Sequence, residues 1–173
     1  AFERGADAVG RRVGAGAAQR FHQHLGRRET FQHRRRGLVA ALRAEHRIRP
    51  KMGGVNARRA AEGRPVTTAH LGIHIGEVFY GNIGSDDRLD FTVVGPAVNE
   101  VSRIASMCRS VDRELLTSSA FRNGLDATGR NWLVSTGRFA LRGIGGAQDL
   151  YTLDPDILTD EVVAGKYARY VAG

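Results

Sequence analysis

The sequence predicts an α+β fold in which an antiparallel sheet is covered by helices. Residues 69–76 alternate between apolar and polar or small side chains, a period of two that is typical of a strand. An apolar run at 89–94 meets Gly95-Pro96 and passes at once into a helical pattern. Two further apolar segments, 132–141 and 147–153, are joined across a glycine-rich turn. Strands and helices in this order indicate a sheet packed against helices.

The remaining elements follow from local signals. Residues 37–46 favour a short helix, and Arg49-Pro50 predicts a break after it. Residues 56–62 resemble the end of a helix, with Gly63 in the position that favours a left-handed backbone. Residues 114–118 (ELLTS) predict a short buried strand, followed by a short helix. The tail from Pro155 has a mixed pattern and carries little information.

Charge is concentrated near the N-terminus. The 173 residues carry a net charge of +8, and residues 1–50 hold twelve arginines against four acidic side chains. Three interpretations of this segment stay open: a basic arm on nucleic acid, which is the least favoured, a solvated disordered tail, and an out-of-frame translation of GC-rich DNA. We therefore divide the chain into residues 1–50, a domain at 51–154 and a tail at 155–173.

Composition bounds the setting of the protein. The single cysteine, Cys108, excludes an intrachain disulfide framework and fits a reducing, cytoplasmic location. No apolar run approaches the roughly 18 to 20 residues that span a bilayer, and no signal peptide is recognisable. We expect neither a membrane nor a nucleic acid as partner.

Two motifs have structural explanations. The glycines at 76, 81 and 84 resemble a phosphate loop only loosely, because no Gly-Lys-Ser/Thr ending and no helix follow them. They predict a strand with close backbone contacts. His74 falls on the strand face opposite Leu71 and Ile73, so we expect a packed or hydrogen-bonded histidine and not a metal ligand.

Asn99 and Arg103 form the candidate functional pair. Their spacing of four residues places them on one face of the predicted helix. An arginine there suits an anionic group, and an asparagine can hold a hydroxyl or a ring oxygen. A solvated polar helix face would have the same spacing, so these residues by themselves leave both interpretations open.

A resemblance narrows the choice. The stretch RLDFTVVGPAVNEVSRIA at 88–105 is similar to the signature of class III nucleotidyl cyclases, the adenylate and guanylate cyclase catalytic domains. LGIHIGEVFYGNIGS at 71–85 resembles the strand pair that precedes this signature, and GRFALRGIGGAQDLYTL at 137–153 resembles the closing hairpin. Val101 and Ala147 depart from the usual alanine and proline. The resemblance covers about residues 56–153 and implies the ferredoxin-like nucleotidyl cyclase fold.

The resemblance also implies a reaction and roles. It is the conversion of ATP to cyclic AMP and pyrophosphate in intracellular signalling, a lyase activity, with ATP favoured over GTP. Arg103 would neutralise charge in the transition state, and Asn99 would hold the ribose. Thr92 would contact the purine base, and Arg142 the triphosphate.

One half of the family's site is not recognisable. The family uses two aspartates that bind Mg²⁺ or Mn²⁺, in an F-x-D-[IL]-x-G-[FY] strand and a G-D-G hairpin, and neither motif occurs in the sequence. Since class III sites form between two subunits, this chain would supply only the Asn99–Arg103 half. We expect a truncated sheet at the N-terminal side, no activity of the chain by itself, and one working site in a heterodimer with an intact cyclase. The alternatives are a non-enzymatic pseudocyclase that dimerises and a basic-arm binder of nucleic acid.

Overall fold

The computed structural model describes residues 31–85 and 88–173. Their helices and strands form the α+β arrangement that the sequence predicts. The elements are α1 (Phe31–Ala61), β1 (Leu71–Ile73), β2 (Phe79–Ser85), β3 (Arg88–Val94), α2 (Pro96–Met107), β4 (Leu115–Ser118), α3 (Ser119–Gly124), α4 (Ala127–Asn131), β5 (Leu133–Ala140), β6 (Ala147–Leu153), α5 (Asp156–Thr159) and α6 (Glu161–Ala172). No helix among the described residues is long and apolar enough to cross a membrane.

Four strands form an open sheet in the order β1-β4-β6-β5. The pairs β4–β6 and β5–β6 are antiparallel, as predicted, whereas β1 and β4 run parallel. The parallel pair arises because α2 lies between β1 and β4 in the chain and returns it to the same end of the sheet. β2 and β3 form a separate antiparallel ribbon that leads into α2.

Glycines shape the hairpin of β5 and β6. Gly143 and Gly146 both have φ of 77°, which permits the predicted turn between the strands. Gly137 has φ of 115° and lies at an irregularity in the strand pairing. The predicted position of the turn between β5 and β6 is therefore confirmed.

Helix α1 corrects two predictions. It runs through Pro50, so the predicted break at Arg49-Pro50 is wrong. Leu38 and Leu42 on α1 are buried in the core, so disorder is also wrong for residues 31–50, and residues 1–30 lie outside the described part of the chain. The boundary predicted at 50/51 thus falls inside a helix.

The C-terminal end of α1 agrees with its prediction. Gly63 has φ of 65°, and its N–H donates to the Ala60 carbonyl at 3.0 Å. The Arg64 N–H donates to the Arg59 carbonyl at 2.8 Å, which completes a Schellman cap.

Two arginines of α1 have internal partners. Arg43 donates to the carbonyls of Val171 and Ala172 at the end of α6. Arg49 pairs with Glu45 and, at 2.9 Å, with Glu114. These arginines fasten α1 to the domain, which weakens the interpretation of residues 31–50 as part of a nucleic-acid arm.

The core lies on both faces of the four-stranded sheet. Because side chains alternate along a strand, Leu115 and Leu116 enter different clusters. The first cluster packs under α1, α3 and α6 and comprises Leu38, Leu42, Leu115, Phe121, Leu125, Leu133, Leu153, Ile157, Tyr167 and Val171. The second packs against α2 and comprises Ile104, Cys108, Leu116, Leu141 and Leu150. The predicted tail at 155–173 therefore contributes three side chains to the first cluster.

Candidate active site

The start of α2 carries the predicted pair. Gly95 has φ of 142° and Pro96 occupies the first turn, so the chain turns sharply from β3 into the helix. Asn99 and Arg103 are both exposed, while Ala97 and Ile104 are buried. The two polar side chains thus share the outer face of an amphipathic helix, as their spacing predicts.

Strand β1 and the residues that follow it hold α2 in place through close backbone contacts. A Cβ atom at Gly72 would lie 2.8 Å from the Val101 carbonyl oxygen and 2.9 Å from the Ala105 nitrogen. A Cβ atom at Gly76 would lie 2.7 Å from the Cβ of Ala97. All three distances are shorter than those that real Cβ atoms show, so these glycines let the helix approach the sheet and set the distance at which Asn99 and Arg103 stand.

Thr92 and Arg142 lie on two further elements beside α2. Thr92 is half-buried on β3 and pairs with Gly81 on β2. Arg142 is exposed in the turn after β5, and the preceding Leu141 packs in the same cluster as Ile104 of α2. The structure therefore brings the β5–β6 turn to the side of α2, while the ligand contacts of Thr92 and Arg142 stay predictions.

Sequence reasoning missed a polar junction beneath α2. The Nδ1 atom of His74 lies 2.8 Å from the Ser118 Oγ and 3.5 Å from a carboxylate oxygen of Glu100. The expectation of a hydrogen-bonded histidine is confirmed, but its partners were not foreseen. The period-two pattern of Gly72, His74 and Gly76 was the available signal, since all three residues face α2.

The metal-binding half of the site that the resemblance implies stays a prediction. Across 31–85 and 88–173, no three His, Cys, Asp or Glu side chains are grouped so that they could hold a metal ion. We therefore derive no chemical step through a metal.

Solved structures share this architecture. The chain superposes on the adenylyl cyclase CyaB from P. aeruginosa with a TM-score of 0.57 and 24% identity, covering 68% of this chain and 58% of that one. It superposes on the guanylyl cyclase Cya2 with a TM-score of 0.55 and 22% identity, covering 67% and 57%. At this identity the likeness concerns the fold. The described part of the chain has the class III nucleotidyl cyclase fold, and the predicted resemblance is confirmed at that level.

One of the sequence relatives is also named as a cyclase. Adenylate cyclase 1 of Rhizobium meliloti is 30% identical over 80 residues, which are 46% of this chain and 12% of the relative. An uncharacterized protein of Mycobacterium tuberculosis is 37% identical over 68 residues, 39% of this chain and 12% of the relative. The matched region is thus about an eighth of the length of these relatives. No family model matches the chain.

Proposed function

We propose that this chain carries the ribose and transition-state half of an adenylyl cyclase site, which converts ATP to cyclic AMP and pyrophosphate. The observation that supports it is the placement of Asn99 and Arg103. Both are exposed on one face of α2, while the opposite face is held against the sheet at Gly72 and Gly76. A helix fixed in this way presents its outer side chains with little freedom, which favours a binding role over a merely solvated face.

Arg103 would act on the phosphoryl group. The ribose 3′-oxygen loses its proton and attacks the α-phosphorus while the bond to pyrophosphate breaks, so negative charge gathers on the phosphoryl oxygens. A guanidinium donates from a rigid fork to such oxygens. One donor aimed at developing charge typically lowers the barrier by about 3 to 4 kcal/mol.

Asn99 and Thr92 would orient the substrate. The Asn99 amide can hold the ribose so that its 3′-oxygen stands in line with the leaving group, which removes part of the entropic barrier. The Thr92 hydroxyl can accept a hydrogen bond from the adenine amino group, which favours ATP over GTP. Arg142 would contact the triphosphate from the β5–β6 turn.

A second subunit would complete the site. Apolar side chains at the base of the β2–β3 ribbon, Val78, Phe79, Val93 and Val94, are 40–44% exposed, an arrangement that favours a protein partner. Because neither aspartate motif of the family occurs in the sequence, the partner would supply the aspartates that bind Mg²⁺ or Mn²⁺. We propose that a homodimer of this chain is inactive and that a heterodimer with an intact cyclase subunit has one working site.

Complementation tests this proposal. The partner is a bacterial class III adenylyl cyclase that keeps its aspartates and has its own Asn-Arg pair replaced by alanine. With ATP and Mn²⁺, we expect no cyclic AMP from either chain by itself and steady production from the mixture, slower with GTP. Stable association without any turnover would contradict the enzymatic proposal. It would instead favour the pseudocyclase dimerisation module, which the exposed apolar ribbon also supports.

A further inference from the structure

A buried polar junction connects the sheet to the start of α2. It consists of His74 after β1, Glu100 on α2 and Ser118 at the end of β4, and we call it the His74 junction. We propose that His74 is a positioning residue that fixes the rotation of α2, and hence the direction of Asn99 and Arg103. This inference rests on the proposed function for its consequence in catalysis, but its structural part is independent of any nucleotide.

The geometry around the His74 ring favours a hydrogen on its Nδ1 atom. Its side chain is 8% exposed, and its Nδ1 atom faces both the Ser118 Oγ and the Glu100 carboxylate. The Ser118 Oγ at 2.8 Å is the hydrogen-bond partner of Nδ1, and the Glu100 carboxylate at 3.5 Å makes an electrostatic contact, so an N–H at Nδ1 is favourable toward both oxygens. Ser118 Oγ also accepts from the Phe121 N–H at 3.1 Å, which ties the junction to the first turn of α3.

Helix α2 needs such a connection because its N-terminus has few other polar constraints. Its N-cap residue is Gly95, which has no side chain, and the first turn holds no acidic residue. The glycines that flank His74 in the alternating pattern set the distance between β1 and α2. The contacts of Gly72 with the α2 backbone and of Gly76 with the Ala97 side chain fix distance but resist rotation weakly. The electrostatic contact at 3.5 Å between His74 and Glu100 of α2 supplies that resistance.

Rotation of α2 bears directly on the proposed site. Glu100 follows Asn99, and Ile104 follows Arg103, so each inward residue lies about 100° around the helix from an outward one. Ile104 is fully buried and Glu100 is only 20% exposed. A helix free to rotate would carry Asn99 and Arg103 away from their shared direction. Alignment in the transition state is sensitive to such displacement.

Three variants of the full chain test the inference: His74→Leu removes the donor, His74→Asn keeps an N–H near the position of Nδ1, and Glu100→Gln removes the carboxylate charge. In the unmodified chain we expect the ¹⁵N spectrum to show Nδ1 protonated and Nε2 unprotonated, and Glu100→Gln to shift the Nδ1 signal. We expect His74→Leu to speed amide exchange at 101–105 about tenfold, because the contact with Glu100 is lost together with the part-buried hydrogen bond to Ser118. Amides of α6 serve as the internal reference and should keep their rates.

His74→Asn distinguishes positioning from general packing. It should restore α2 exchange to within about threefold of the unmodified chain, since the donor is retained. In the complementation assay His74→Leu should lower kcat about tenfold and leave KM within about twofold, because the misaligned groups act in the transition state.

Two results would overturn the inference. One is equal acceleration of exchange in α2 and α6, which would indicate general destabilisation. The other is an Asn variant no better than Leu. Failure of the proposed function has a different signature: α2 exchange would respond to His74 as described, while the mixture of chains would make no cyclic AMP.

Discussion

The two faces of the four-stranded sheet are covered in different ways. On one face, α1, α3 and α6 pack through large side chains such as Leu42, Phe121 and Tyr167. On the other, α2 lies so close that Gly72 and Gly76 cannot carry a side chain without displacing it. The first arrangement buries more apolar surface and supplies stability. The second fixes the position of one helix, which is the requirement of a functional site.

The largest expected effect concerns the stability of the first face. Leu42 is fully buried, so Leu42→Ala should lower the free energy of unfolding by about 2 to 5 kcal/mol. Urea unfolding can be followed by the fluorescence of Trp132, the only tryptophan, whose ring lies 5.4 Å from Tyr167 on α6. Leu158→Ala, at a side chain 61% exposed, is the matched control and should cost less than about 0.5 kcal/mol. Equal losses of unfolding free energy in both variants would contradict the assignment of this face as a main source of stability.

A smaller change on the second face should displace the helix itself. In Gly76→Ala the new methyl group would meet Ala97 at 2.7 Å and the His74 ring at 2.7 Å. We expect a loss of about 1 to 3 kcal/mol in stability and shifted amide signals along α2. Gly145→Ala, where no atom lies within 4 Å, is the control and should leave α2 unchanged. Unperturbed α2 signals in Gly76→Ala would contradict the close backbone contact.

The smallest expected effect is a change in the reactivity of a cysteine on the same face. Cys108 is fully buried behind α2, and burial raises the pKa of its thiol, so it stays protonated and unreactive near neutral pH. A disulfide reagent should therefore label the native chain far more slowly than the urea-unfolded chain. Faster labelling in Gly76→Ala than in Gly145→Ala would confirm that the added methyl group lifts α2. Rapid labelling of the unmodified chain would contradict the burial of Cys108.

Locally determined features of the fold could be predicted from the sequence. The Gly95-Pro96 junction and the Gly63 cap depend on neighbouring residues, and both are present. The alternation at 69–76 predicts a strand, and the strand forms over Leu71–Ile73 within it. The continuation of α1 through Pro50 could not be predicted in this way. It depends on contacts of Leu38 and Leu42 with side chains of α6, more than 120 positions away in the chain.

The candidate site also has features that local sequence determines and features that long-range contacts determine. The shared outer face of Asn99 and Arg103 follows from helical periodicity, which the sequence contains. The partners of His74 do not, because Glu100 and Ser118 reach it only after α2 docks on the sheet and β4 pairs with β1. The partners of His74 are thus determined by long-range packing, which the periodicity of the sequence does not contain.

In the proposed function, Arg103 is the arginine that neutralises charge in the transition state of a cyclase site. The most direct test of this claim is Arg103→Ala in the complementation assay, with Arg109→Ala, another exposed arginine at the end of α2, as the matched control. We predict a fall in kcat of about 100-fold or more for Arg103→Ala, as loss of one donor to developing charge implies, and little change for Arg109→Ala. Equal cyclic AMP production by both variants would contradict the claim.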